Sequence, residues 1–196
     1  MPSALRERLG TLFSRRVRGL AVLLVLALTV ALTPPKPERY GDRLQIALPM
    51  LAWGCEALNG HGAEYFLRYA VMFTSAHTTK AVLGTSADNM RPNGSGEGMP
   101  SAHTSTAVLG ASSLVQECLI GNPVVQGAVL LSAGFVGASR IESNNHDIWQ
   151  VLFGALLGWL CDRAFRRPGR GRRAVAAALA RVGDWLRAGW KRLTRS

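Results

Sequence analysis

Apolar runs separated by short polar segments leave this chain few ways to fold. Residues 20–32 are apolar apart from Thr29, follow an arginine cluster and stop at Thr33-Pro34-Pro35. Counted from Val17 the run reaches about 17 residues, enough for one bilayer crossing. Further runs follow at 44–58, 63–83, 101–118, 124–138 and 148–165. Within lipid each segment must satisfy its own backbone polar groups, which restricts it to helices or closed barrels. Continuous apolar runs of this length predict helices. The expected fold is all-α, an integral membrane bundle of about six transmembrane helices.

Charge is distributed to match. The 196 residues are 48% hydrophobic and carry a formal net charge of +11. Five arginines (Arg6, Arg8, Arg15, Arg16, Arg18) precede the first run, and eleven Lys or Arg residues lie between Arg163 and Arg195. A nucleic-acid binder would not split its charge around a long apolar middle, so no nucleic-acid partner is expected. Six spans put both termini on one side, and their basic character places that side in the cytoplasm. The expected organisation is a basic N-terminus over 1–18, a six-span domain over 19–165 and a basic tail over 166–196. In that tail Val175, Leu179, Val182, Leu186 and Leu193 recur at helical spacing, with Trp185 and Trp190 among arginines. This pattern predicts an amphipathic helix lying on an anionic leaflet; the alternative is a solvated tail that only fixes topology. The first run has a competing reading as a signal peptide, although no small-x-small cleavage pattern follows it.

Polar residues inside the runs set further expectations. Pro49 and Gly54 interrupt the second run, and Glu56 near its end should meet a polar neighbour or the interface. Residues 37–43 read as a polar connector and 59–62 as a tight turn. Arg68, His77 and Lys80 in the third run should face the bundle interior or the surface. Cys55, Cys118 and Cys161 lie far apart with no paired spacing, which matches neither a zinc site nor a disulfide framework; they are expected to pack as small apolar side chains.

Two polar segments carry the chemistry. The first is Arg91-Pro92-Asn93-Gly94-Ser95-Gly96-Glu97-Gly98-Met99-Pro100-Ser101-Ala102-His103; the second is Ser139-Arg140-Ile141-Glu142-Ser143-Asn144-Asn145-His146. In a six-span trace both fall on the face opposite the termini. Arg91 and Arg140 can grip a phosphate through paired N–H donors in a geometry that lysine lacks. Ser101 is placed to cap the fourth helix, whose N-terminus favours an anion. Two histidines then suffice for cleavage, one as nucleophile and one protonating the leaving oxygen.

The ordered set resembles the type 2 phosphatidic acid phosphatase superfamily of membrane lipid phosphatases, over roughly residues 41–160. That family's pattern is a lysine then Arg-Pro, then Pro-Ser-Gly-His, then Ser-Arg with a histidine six residues on and an aspartate four further. Here Pro100-Ser101-Ala102-His103 forms the second element, and Ser139-Arg140 precedes His146 at the family spacing. Residues 41–47, Gly-Asp-Arg-Leu-Gln-Ile-Ala, also look like the start of a span in bacterial members. The resemblance implies His146 as nucleophile, His103 as general acid, and Arg91, Ser101, Arg140 and Lys80 as phosphate ligands. It implies a lipid phosphate substrate, a site at the outer leaflet facing the periplasm, and neither metal nor other cofactor.

Three departures stand out. Ala102 replaces the glycine. Lys80 lies eleven residues before Arg91 where the family lysine lies seven before, an offset of about one helical turn. Gln150 occupies the position of the aspartate that orients the nucleophilic imidazole; it can accept the same hydrogen bond but brings no charge. Asp147 is set about 100° round a helix from His146, and Glu142 is the other acidic group close in sequence. Two alternatives to hydrolysis remain on the sequence: phosphate transfer to another lipid, and phospholipid binding without catalysis.

Overall fold

The computed structural model describes residues 15–164 and Arg166, and among these it is all-helical with no strand. Six α-helices follow in order: α1 Arg15–Ala31, α2 Pro37–Leu58, α3 Gly62–Leu83, α4 Ala102–Ser113, α5 Pro123–Glu142 and α6 Ile148–Ala164. A 3-10 turn, Ala87–Asn89, interrupts the loop after α3, and a π-helical turn, Leu114–Cys118, extends α4. The expected amphipathic tail beyond residue 166 and most of the basic N-terminus lie outside the described residues.

The core is one apolar cluster that draws on every helix, including Leu26, Leu48, Met72, Leu109, Val129 and Cys161. The α2 helix is its hub, packed against α1, α3, α4 and α5. Pro49 sits inside α2 as expected, and Gly110 of α4 crosses directly over it. A Cβ at Gly110 would lie 2.6 Å from the Pro49 nitrogen, so only glycine permits this crossing. A glycine without a Cβ is what lets the two backbones approach this closely.

Residues 37–43 are not a connector. They form the first turns of α2, with Pro37 at its opening and Glu38 in its first turn. Proline at the first helical position loses no backbone bond, and an acidic residue there suits the helix dipole. The consequence is functional, because it mounts Asp42 on a rigid element. The turn expected at 59–62 is present, with Asn59 closing α2 and Gly60 at φ 87°.

At the end of the bundle bearing Leu58 and Gly62, buried polar groups pair across helices. Arg68 (2% exposed) donates to Glu56 Oε1 at 2.5 Å, and its Nε lies 3.5 Å from Asp162 Oδ1. Ser113 donates to Glu56 Oε1 and Ser112 to Asp162 Oδ2, at 2.7 and 2.6 Å. Glu56 and Arg68 thus meet polar partners inside, as charged groups in an apolar bundle must. Lys80 also turns inward, whereas His77 is exposed against the Phe73 ring, 4.3 Å between centroids.

The cysteine expectation is corrected. Cys55 and Cys118 form a disulfide, with Cα atoms 6.3 Å apart, and only Cys161 is a buried free thiol. Their separation of 63 residues carried no spacing signal. They meet because the end of α2 packs against the π-helical turn after α4.

Candidate functional site

The opposite end of the bundle gathers the two polar segments. Asn93 N–H donates to the Asn144 carbonyl at 3.2 Å, and Asn93 Nδ2 donates to Asn145 Oδ1 at 3.3 Å, so the segments touch directly. The loop between α3 and α4 is built on Asn89, which is fully buried. Its Nδ2 donates to the carbonyls of Lys80 and Gly84 at 3.0 and 2.6 Å, and its Oδ1 accepts from Met99 N–H at 3.0 Å. One amide therefore clamps the start, the middle and the end of the loop.

This fold of the loop brings Lys80 and Arg91 together. Lys80 Nζ and Arg91 Nη2 both donate to the Glu97 carbonyl, the latter at 3.2 Å. Lys80 thus reaches the same carbonyl as Arg91 although it lies eleven residues before it. Arg91 Nε is buried and has no hydrogen-bond partner among the described residues.

Ser101 caps α4 as expected. Its Oγ accepts from Thr104 N–H at 3.4 Å, and its own N–H donates to the Gln150 carbonyl at 2.9 Å, tying α4 to the start of α6. The side chain is completely buried. His103, in the first turn of α4, is the more open histidine, with 37% of its side chain exposed.

His146 is 3% exposed and sits in the loop between α5 and α6. Its N–H donates to the Arg140 carbonyl at 3.1 Å, and its Nδ1 lies 3.0 Å from Gln150 Oε1. Burial pushes its pKa down to about 4; Arg91 and Lys80 act in the same direction, against hydrogen bonds with Gln150 and the Gly98 backbone. The imidazole is therefore neutral at pH 7.

Gln150 does more than face His146. Asp147 Oδ1 accepts Gln150 N–H at 2.8 Å while Gln150 Oε1 faces Asp147 N–H at 3.4 Å, a reciprocal capping box at the start of α6. Gln150 Nε2 donates to the Met90 and Asp88 carbonyls at 2.8 and 3.2 Å. The Asp-x-x-Gln spacing was a readable signal for that box. Glu142 is exposed at the end of α5.

Arg140 is buried and points towards α2. It donates from Nη1 to Asp42 Oδ1 at 2.9 Å and from Nη2 to the Glu38 carbonyl at 2.6 Å, with Ser139 Oγ 3.3 Å from Nε. Asp42 Oδ1 is also 3.4 Å from His103 Nε2. Asp42 and Asn89 are the two site residues that sequence reasoning did not select. Gly41 makes the α2–α5 approach available: a Cβ there would fall on Ser139 Oγ and lie 2.8 Å from Arg140 Nη2. No group of three or more His, Cys, Asp or Glu side chains suited to a metal ion occurs among the described residues.

The structure is thus an all-helical bundle with two histidines, two arginines and a lysine at one end, a set whose chemistry suits an anion. The family model of the PAP2 superfamily matches residues 18–170, and the chain belongs to that superfamily. Its members are generally phosphatases that act on phosphate esters, most often of lipids. No curated protein and no solved structure matches the chain significantly.

Proposed function

We propose that this protein is a membrane phosphatase that hydrolyses a lipid or polyprenyl phosphate through a phosphohistidine on His146. The observation that carries the reading is the pairing of a buried, neutral His146, its Nδ1 fixed by Gln150, with Arg140, Arg91 and Lys80 gathered at the same end. With Nδ1–H donated to Gln150, the lone pair on Nε2 attacks phosphorus and the ester P–O bond breaks. His103 gives its proton to the departing lipid oxygen. Water then attacks the phosphohistidine, His103 takes its proton, and inorganic phosphate leaves. Arg140, Arg91, Lys80 and the N-terminus of α4 at Ser101 balance the phosphoryl charge. Arg91 Nε, a buried donor with no protein acceptor among the described residues, suits this role.

The membrane setting belongs to the same proposal: six spans, both termini cytoplasmic, and the site facing the periplasm. Among the described residues α5 meets the length and apolarity of a crossing by itself, and the apolar helix Val17–Ala31 is shorter. Large apolar side chains on the outside support lipid contact around the bundle; Leu20 is 67% exposed, Phe66 64%, Val82 80%, Leu131 76% and Trp149 66%. Glu56, Arg68 and Asp162, by contrast, are buried together inside.

His146→Ala should abolish phosphate release from lipid phosphates in detergent, and undiminished turnover would overturn the assignment. The neutral Gln150 in place of a carboxylate favours one second reading, phosphate binding without turnover. Phosphate that protects the protein against heat while no lipid phosphate is cleaved would select it. Product analysis with and without an acceptor lipid separates hydrolysis from transfer.

A further inference from the structure

Arg140 and His103 share one acidic neighbour. Asp42 Oδ1 accepts from Arg140 Nη1 at 2.9 Å and lies 3.4 Å from His103 Nε2. The guanidinium is held from behind by the Glu38 carbonyl and Ser139 Oγ, leaving Nη1 as the arm taken by Asp42. Burial is asymmetric across the pair: 4% of the Arg140 side chain is exposed against 47% for Asp42 and 37% for His103. The carboxylate thus approaches from the open side, the side from which an anionic substrate must come.

We propose that Asp42 is a resident anion, occupying the phosphate position between Arg140 and His103 and displaced whenever phosphate binds. The inference rests on the phosphatase reading for the roles of those two residues. The carboxylate oxygen that accepts from Arg140 Nη1 also lies 3.4 Å from His103 Nε2, the place a phosphoryl oxygen would take, and both anions cannot sit there together. Asp42 is half exposed on the outer turn of α2, so its side chain can swing into water. A purely structural acid would be expected to be the only anchor of Arg140, yet Glu38 and Ser139 hold it independently. The consequence is that phosphate binds only to the fraction of sites from which Asp42 has withdrawn, and apparent affinity falls by that fraction. Product phosphate is then released by an internal competitor, while a substrate with further contacts to its lipid portion is still captured.

The experiment compares full-length wild type with Asp42→Asn in detergent, using inorganic phosphate and orthovanadate as probes. Binding is read directly by calorimetry and turnover by phosphate release from a lipid phosphate. Asp42→Asn should lower the Kd for both probes at least about fivefold, equivalent to ~1 kcal/mol. Asp42→Ala should do the same and serves if the asparagine variant does not fold. Unchanged or weaker binding in the folded variants, or no binding in any form, overturns the proposal. A fall in kcat with unaltered phosphate affinity also overturns it, and makes Asp42 a positioning residue for Arg140. Tighter binding in Asp42→Asn without lipid turnover in wild type would sustain the resident anion while the phosphatase reading failed. Turnover with unaltered phosphate affinity would do the reverse.

Discussion

Gln150 Oε1 lies 3.0 Å from His146 Nδ1, while the nitrogen of the same amide donates to the carbonyls of Met90 and Asp88. A single neutral side chain orients the histidine and ties the loop above it. An aspartate at this position could do the first but has no proton for the second, and it is one methylene shorter. Gln150 is thus an exchange of charge for an anchoring donor.

That exchange sets a pH signature. His146 must be neutral to attack, and its pKa stands at about 4, so the acid limb of kcat/KM should fall near pH 4. In Gln150→Glu a carboxylate would face the imidazole and favour its charged form. The folded pKa then rises, and the acid limb should move upward by about one unit or more. A pH profile of both proteins decides this; an unmoved limb would mean that it does not report His146.

The same variant should be less stable. Replacing the Gln150 amide nitrogen by an anionic oxygen leaves the Met90 and Asp88 carbonyls without their donor and sets like partial charges against them. Losing two part-buried hydrogen bonds of this kind costs about 0.5–1.5 kcal/mol each. Thermal unfolding at pH 7 should show a lower Tm for Gln150→Glu, and Gln150→Asp should not exceed wild-type activity.

The helices were legible because each apolar run is long and ends at a proline, a glycine or a polar cluster. The third and sixth came out at Gly62–Leu83 and Ile148–Ala164, against expected runs of 63–83 and 148–165. The second was misjudged at its start, since Lys36 to Arg43 is polar by composition yet helical from Pro37. Site residues inside the two polar segments were legible as types, but their partners were not. Asp42 and Arg140 are 98 residues apart, and the disulfide closes 63. No local pattern encodes such pairings; they follow from helix packing around α2. Gln150 was readable in two ways, and comparison with a catalytic pattern hid its role as a helix cap.

The disulfide makes a simple stoichiometric prediction. Unfolded without reductant, the protein should present one reactive thiol, Cys161, and three after reduction. Titration with a thiol reagent in denaturant checks this, and three thiols before reduction would contradict the pairing.

Asn89 should behave as the keystone of the loop. It is fully buried and holds three backbone partners, two carbonyls and one N–H. Asn89→Ala removes the partner of the Gly84 carbonyl and of Met99 N–H, at about 1–3 kcal/mol for each that water cannot reach, while the Lys80 carbonyl keeps Gly84 N–H. The loop carries Arg91 and the Glu97 carbonyl that gathers Lys80, so kcat/KM should fall together with Tm. Asn89→Asp keeps the acceptor for Met99 but turns both donors into an acceptor, and should be no better.

Gly41 and Gly54 lie on the same helix and offer an internal control. A Cβ at Gly41 would overlap Ser139 Oγ and press within 2.8 Å of Arg140 Nη2, whereas one at Gly54 meets no atom within 4 Å. Gly41→Ala must push α2 away from α5 or displace Arg140 from Asp42 and Glu38. Overpacking of this kind costs about 1–3 kcal/mol, and here it should also remove most activity by spoiling the grip of Arg140. Gly54→Ala adds helix propensity without a clash and should be neutral or stabilising by up to ~1 kcal/mol. If the two substitutions had equal effects on Tm and phosphate release, the close approach of α2 to Ser139 and Arg140 would not be what holds the site.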